Sequence, residues 1–163
     1  MNKSKIAGWV ITAAAVIASQ FIPAEEGNKL KSYPDGAGVW TICEGVTHGI
    51  GPGMVMTEEE CSDLNKSARE EYQAAVVDAL RVEVTPQILA AHTSFAYNVG
   101  KGGYRKSMTL RETNKGNFAA GCRAMMNYHS SGGKDCRVRG GGCYGLYGRR
   151  QREINLCLSG VAP

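Results

Sequence analysis

A carboxylate, Glu26, is followed nine residues later by a second, Asp35, and six residues further on by a hydroxyl, Thr41. The first stands at the end of an apolar stretch and the second opens an Asp35-Gly36 turn. The third sits in Val39-Trp40-Thr41-Ile42, a run rich in strand formers. Two carboxyl groups held apart by structure suit cleavage of a glycosidic bond. One is protonated and gives its proton to the leaving oxygen; the other is ionised and activates water or attacks. A neighbouring hydroxyl can hold that water. Spacing alone does not single out this chemistry, because a solvated helix end followed by an Asp-Gly turn supplies the same residue types. Metal chemistry has weaker support: His48, His92 and His129 do not cluster, and no two cysteines stand in a Cys-x-x-Cys pair. No metal and no cofactor are expected.

The elements that must hold these residues can be read from periodicity. Ile6 to about Glu25 reads as an apolar helix that delivers Glu26 at its end, and Lys31 to Glu44 as a hairpin or small meander carrying Asp35 and Thr41. Gly45 to Met56 is loop. Thr57 and Glu60 form a capping-box pattern at the start of a long helix with Cys61, Leu64, Ala68, Tyr72, Val76 and Leu80 on one apolar face. Thr85-Pro86 starts another helix, expected to stop near Gly100, with proline at its favoured first position. Ser107 caps a short helix, Asn117 begins one reaching about Tyr128, residues 130–145 are a glycine-rich loop, and a last helix runs from about Tyr147 to Leu158. The fold class is α+β and mostly helical. A small N-terminal β-sheet lobe faces a larger helical lobe, and the cleft between them suits an extended ligand.

The N-terminus reads as an export signal. Lys3 and Lys5 precede 19 uncharged residues, Ile6 to Ala24, close to the shortest length that spans a bilayer. Gly8, Thr12, the alanines, Ser19, Gln20 and Pro23 make it a weak anchor. We therefore expect residues 1–25 to be a signal-anchor helix and 26–163 a catalytic domain. An ordinary buried helix is the plainer alternative. Six cysteines, none before residue 43, point to disulfides in an oxidising compartment. Fifteen pairings are open to them. The expected set joins Cys43 with Cys61 (sheet to following helix), Cys122 with Cys157 (last helix to its neighbour) and Cys136 with Cys143 (closing a glycine-rich loop). The net charge of +4 suits an anionic polymer but equally nucleic acid, for which no aromatic-interleaved basic motif is present. Lys134, Arg137, Arg139, Arg149, Arg150 and Arg152 read by default as a solvated basic face.

Glu26, Asp35 and Thr41, set among Glu26-Gly27, Leu30, Tyr33 and Gly38-Val39-Trp40-Thr41, resemble the catalytic stretch of the phage-type lysozymes of glycoside hydrolase family 24. Ser94 to Gly100, Ser107 to Leu110 with Asn114-Lys115-Gly116, and Gly148 to Glu153 resemble that family's downstream segments in the same order. With the weak N-terminal segment and the cysteines, the nearest resemblance is to signal-arrest-release endolysins of phages infecting Gram-negative bacteria. The resemblance implies a lysozyme-like fold and hydrolysis of the β-1,4 bond between N-acetylmuramic acid and N-acetylglucosamine in peptidoglycan, causing host lysis. It implies Glu26 as general acid, Asp35 as the group that orients or activates water, and Thr41 as a further support for that water. Inversion at the sugar carbon follows, with the carboxyls roughly 6.5–9.5 Å apart. Arg149 is expected to pair with Glu26, and Asn98 and Gly100 to shape the substrate cleft. The partners implied are peptidoglycan glycan strands, the host export machinery and the inner membrane before release into the periplasm. Two departures stand out: Glu44 occupies a position usually small or uncharged, and the 136–143 loop is long. The alternatives are a lytic transglycosylase, which makes an anhydro product, and a non-catalytic wall-binding or membrane-disrupting protein.

Overall fold

The computed structural model describes residues 6–36 and 38–162. Lys3, Lys5 and Ala37 lie outside them. The elements in order are α1 (Gly8–Glu26), β1 (Lys29–Pro34), β2 (Trp40–Cys43), α2 (Glu58–Ala79), α3 (Pro86–Lys106), α4 (Met108–Thr113) and α5 (Phe118–Arg123). A 3₁₀ turn (Ala124–Asn127), the two-residue strands β3 (Ser130–Ser131) and β4 (Lys134–Asp135), and α6 (Tyr144–Ser159) complete the chain.

Helix α1 owes its place to a stripe at every fourth position. Ile6, Val10, Ala14, Ala18 and Ile22 are all buried, in one core with Leu89, Phe95 and Tyr104 of α3 and Cys157 of α6. The small residues on this stripe let α1 lie close against α3. The opposite face is mixed: Trp9 and Val16 are exposed at 68% and 56%, beside exposed Thr12, Ser19 and Gln20. β1 and β2 pair antiparallel, with Tyr33 opposite Thr41 and Pro34 opposite Trp40. Thr57 and Glu60 make the capping box of α2 in both directions.

Four details differ from the sequence reading. α3 breaks at Gly100, whose φ of 78° is left-handed, but resumes to Lys106. Tyr104 explains the extra turn, because its ring is buried edge-on to His92 and Phe95. The helix expected from Asn117 splits into α5 and the 3₁₀ turn. The glycine-rich segment holds a small hairpin, turning through Gly132 and Gly133 at φ 55° and 77°, and α6 starts at Tyr144 rather than Tyr147. The six cysteines form Cys43–Cys61, Cys122–Cys157 and Cys136–Cys143.

The helical core also contains a titratable ring. His92 is fully buried between the Tyr104 hydroxyl, 2.8 Å from Nδ1, and Thr113. Burial disfavours the imidazolium and drives its pKa down to about 3. The unfolded chain therefore takes up this proton near pH 6.5, whereas the folded chain does so only near 3. Stability from this residue is complete above pH 6.5 and declines as the pH falls, by roughly 3 kcal/mol at pH 4. Urea unfolding at pH 7 and pH 4 is expected to show this loss. His92→Gln should remove that part of the pH dependence; an identical dependence in wild type and variant would contradict it.

Candidate active site

Glu26 is the last residue of α1, which ends because Gly27 turns to φ 70° and ψ 176°. The Glu26 side chain is 19% exposed, and its Oε1 accepts a hydrogen bond from Arg149 Nη1 at 2.5 Å. Arg149 comes from α6, 123 residues away in sequence, and is itself 5% exposed. Its Nε donates to Glu153 Oε1 at 3.0 Å and its Nη2 to the Ser94 carbonyl at 3.3 Å. Burial works against the charge on Arg149, but the carboxylates of Glu153 and Glu26 outweigh it and raise its pKa. Glu153 is wholly buried; it accepts the Ser94 hydroxyl at 2.7 Å and pairs on its other oxygen with Arg150. Arg150 continues to the Tyr128 carbonyl at 3.0 Å and to Asn98 Oδ1.

The second oxygen of Glu26 faces the β2–α2 connection. A Cβ on Gly45 would stand 3.4 Å from Glu26 Oε2, and Gly45 has φ 84°. Both the close approach and the left-handed backbone suit glycine there. Across from this, Asp35 is built into the β1–β2 turn. Its N–H donates to the Val39 carbonyl at 2.9 Å, and its Oδ1 accepts from the Val39 N–H at 2.9 Å. The turn thus fixes the carboxylate while leaving it half-exposed. Thr41 is 3% exposed, and its hydroxyl donates to the Val39 carbonyl at 2.9 Å. Tyr33, paired with Thr41 across the strands, has its phenol pKa raised by partial burial and by the charges of both Glu26 and Asp35. One side chain therefore lies in the field of both carboxylates.

Other expected residues fall differently. Asn98 is exposed at the mouth of a hollow of about 500 Å³ lined also by Val99, Asn127, Tyr128 and Ser130, and it doubles as an acceptor for Arg150. Gly100 supplies the break in α3. The basic cluster is not one solvated face. Arg149 and Arg150 are buried, Arg152 holds Glu25 through two bonds of 2.6 and 2.7 Å, and Arg137 holds Asp135 at 2.6 Å. The carboxylates that bind these arginines explain the difference. Sequence reasoning missed Glu153, Ser94 and Gly45. The one available signal was a lone carboxylate four residues after Arg149, the spacing at which helix side chains meet.

A small antiparallel sheet facing a helical body, with a carboxylate at the end of the first helix clasped by an arginine of the last, defines a lysozyme-like glycoside hydrolase. The chain belongs to the phage lysozyme family, which matches residues 23–153. Among its relatives, the SAR-endolysin of Escherichia phage 933W is 37% identical over 154 residues, covering 91% of this chain and 87% of that protein. The crystal structure of a phage P22 lysozyme mutant is 30% identical, with a TM-score of 0.68 over 96% of this chain and 99% of its own. The active form of the P1 phage endolysin Lyz has the same fold at a TM-score of 0.74, with 24% identity over 93% of this chain and 95% of its own.

Proposed function

We propose that the chain is an endolysin that cuts the β-1,4 bond between N-acetylmuramic acid and N-acetylglucosamine by an inverting, two-carboxylate mechanism. The observation that carries the reading is the hold on Glu26. Arg149 occupies one oxygen and the other remains beside Gly45. Glu26 gives its proton to the glycosidic oxygen as the carbon–oxygen bond breaks. Asp35, aided by the Thr41 hydroxyl, orients a water on the opposite face of the sugar and takes its proton as the oxygen bonds to the anomeric carbon. One water is consumed, the configuration inverts, and solvent restores both carboxyls. Digestion of purified peptidoglycan by wild type and Glu26→Gln, with products weighed, tests this. Hydrolysis leaves reducing muramic ends; anhydro ends would indicate a lytic transglycosylase, and clearing without cleavage a non-enzymatic agent.

We further propose that α1 serves twice. The host export machinery first threads it into the inner membrane with Lys3 and Lys5 on the cytoplasmic side; it later leaves the bilayer and packs as the first helix of the periplasmic enzyme. In support, α1 has 19 residues, and an 18-residue stretch of it has a mean hydropathy of 1.2, enough by length and composition to cross a membrane. Glu26 is its last residue, so in the bilayer the acid is kept from Arg149. Gly8, Thr12 and Gln20 are exposed, so leucines there raise the affinity for lipid without disturbing the buried stripe. The triple leucine variant is expected to stay in the membrane fraction and to delay lysis; wild-type timing in that variant would refute the dual role.

A further inference from the structure

From Cys61, helix α2 also carries a polar stripe at Asn65, Arg69 and Gln73. Cys61, Asn65 and Arg69 hold Cys43 and Glu44 at the end of β2, and Gln73 holds α1. Cys61 is bonded to Cys43. One turn on, Asn65, 2% exposed, accepts the Glu44 N–H at 3.0 Å. Another turn on, Arg69 pairs with the Glu44 carboxylate, and both side chains are largely buried, at 16% and 9% exposure. A turn further, Gln73 donates to the Ile11 carbonyl of α1 at 2.7 Å. From α3, the Tyr97 hydroxyl donates to the Glu44 carbonyl at 2.9 Å.

Glu44 is thus gripped at its N–H, its carbonyl and its carboxylate. Its neighbours on both sides are left-handed, Cys43 at φ 55° and Gly45 at φ 84°. A non-glycine residue in that region costs about 1–3 kcal/mol and persists where the surroundings over-determine it. Here they do, and the outcome is that Gly45 lies against the free oxygen of Glu26 while β2, with Thr41, is pinned to the same helix that holds α1. Burial, with the nearby charges of Glu26 and Glu44, raises the Tyr97 phenol, so its hydroxyl remains a donor.

We propose that Asn65, Arg69 and Tyr97 are positioning residues, which by fixing Glu44 through its N–H, carboxylate and carbonyl set the position of Gly45 and Thr41 relative to the acid Glu26. This rests on Glu26 being the acid. None of the three need touch substrate. Their effect is on geometry at the reacting bond, where an error of about 1 Å can cost about a hundredfold in rate.

The test compares Tyr97→Phe, Arg69→Met and the double variant with wild type on a soluble peptidoglycan oligomer. Folded fraction is followed by urea unfolding. Tyr97→Phe removes one hydroxyl and keeps the ring, which packs on Tyr72 with centroids 5.0 Å apart. Each single variant is expected to lower kcat per folded molecule about tenfold with KM within about twofold, and the double to be no worse than the poorer single, because all three act on one residue, Glu44. A kcat within about twofold of wild type in either single overturns the proposal, as do losses that multiply in the double. If Arg69→Met does not fold, Glu44→Gln takes its place with the same expectation. Glu26→Gln is run alongside. Activity in that variant defeats the acid assignment, whereas an inactive Glu26→Gln with a fully active Tyr97→Phe defeats only the positioning role.

Discussion

Glu26→Gln is expected to give a folded protein whose rate of peptidoglycan hydrolysis is lower by about 10²–10⁴-fold, the range over which a positioned proton donor contributes. The amide copies the shape of the carboxyl and keeps an oxygen to accept from Arg149, so the end of α1 has no reason to move. What it lacks is a transferable proton. The remaining partners of Arg149, Glu153 and the Ser94 carbonyl, stay in place and continue to balance its charge. The loss should therefore fall on kcat, with binding of glycan strands little changed. Unfolding midpoints separate the two effects. A Glu26→Gln protein that is folded and still releases reducing ends at more than a tenth of the wild-type rate is incompatible with Glu26 as the acid.

The residues proposed to react could be picked out in the sequence because their types and spacing, ambiguous alone, stand among motifs that resemble the phage-type lysozymes. Glu26 has to close a helix and Asp35 has to sit in a turn, and each position carries its own local signal, the end of an apolar run and an Asp-Gly pair. The apolar stripe of α1 was legible for the same reason, since burial at every fourth residue leaves a periodic trace. The network behind Glu26 was not. Arg150 and Glu153 look like solvated members of a charged helix, and only the packing of α6 against α3 removes them from water. Glu44 was conspicuous as a charge where a small residue is usual. Its partner Arg69 lies 25 residues on and carries no mark that distinguishes it from any other helical arginine. Gly100 was correctly a break, but the turn beyond it depends on the burial of Tyr104, a tertiary effect that a glycine signal overrides on paper. Local signals mark the groups proposed to react. The groups that hold them are specified by contacts distant in sequence.

Glu153→Leu is expected to destabilise the fold by about 3–5 kcal/mol, the usual cost of removing one partner from a buried ionic cluster. Glu153 has no exposed surface, and it receives Arg149 Nε, the Ser94 hydroxyl and Arg150 Nη1. Leucine fills similar space but leaves these donors facing an apolar side chain, with two guanidiniums beside one another and only Glu26 and Glu25, among the described residues, left to act on them. Burial already lowers the pKa of Arg150 even with Glu153 present, a sign of how costly that cation is without its counter-charge. Arg149 would then lean wholly on Glu26, and the carboxyl that should carry a transferable proton would become the sole counter-ion of a buried cation. Activity per folded molecule should fall as well as stability. Glu153→Gln, which keeps acceptors for one arginine and for Ser94, should fall between wild type and leucine on both measures. Urea unfolding of the three proteins, with digestion rates corrected for folded fraction, separates the two roles. A leucine variant within about 1 kcal/mol of wild type would mean that α6 can re-solvate its arginines, and that the hold on Glu26 does not depend on the buried cluster.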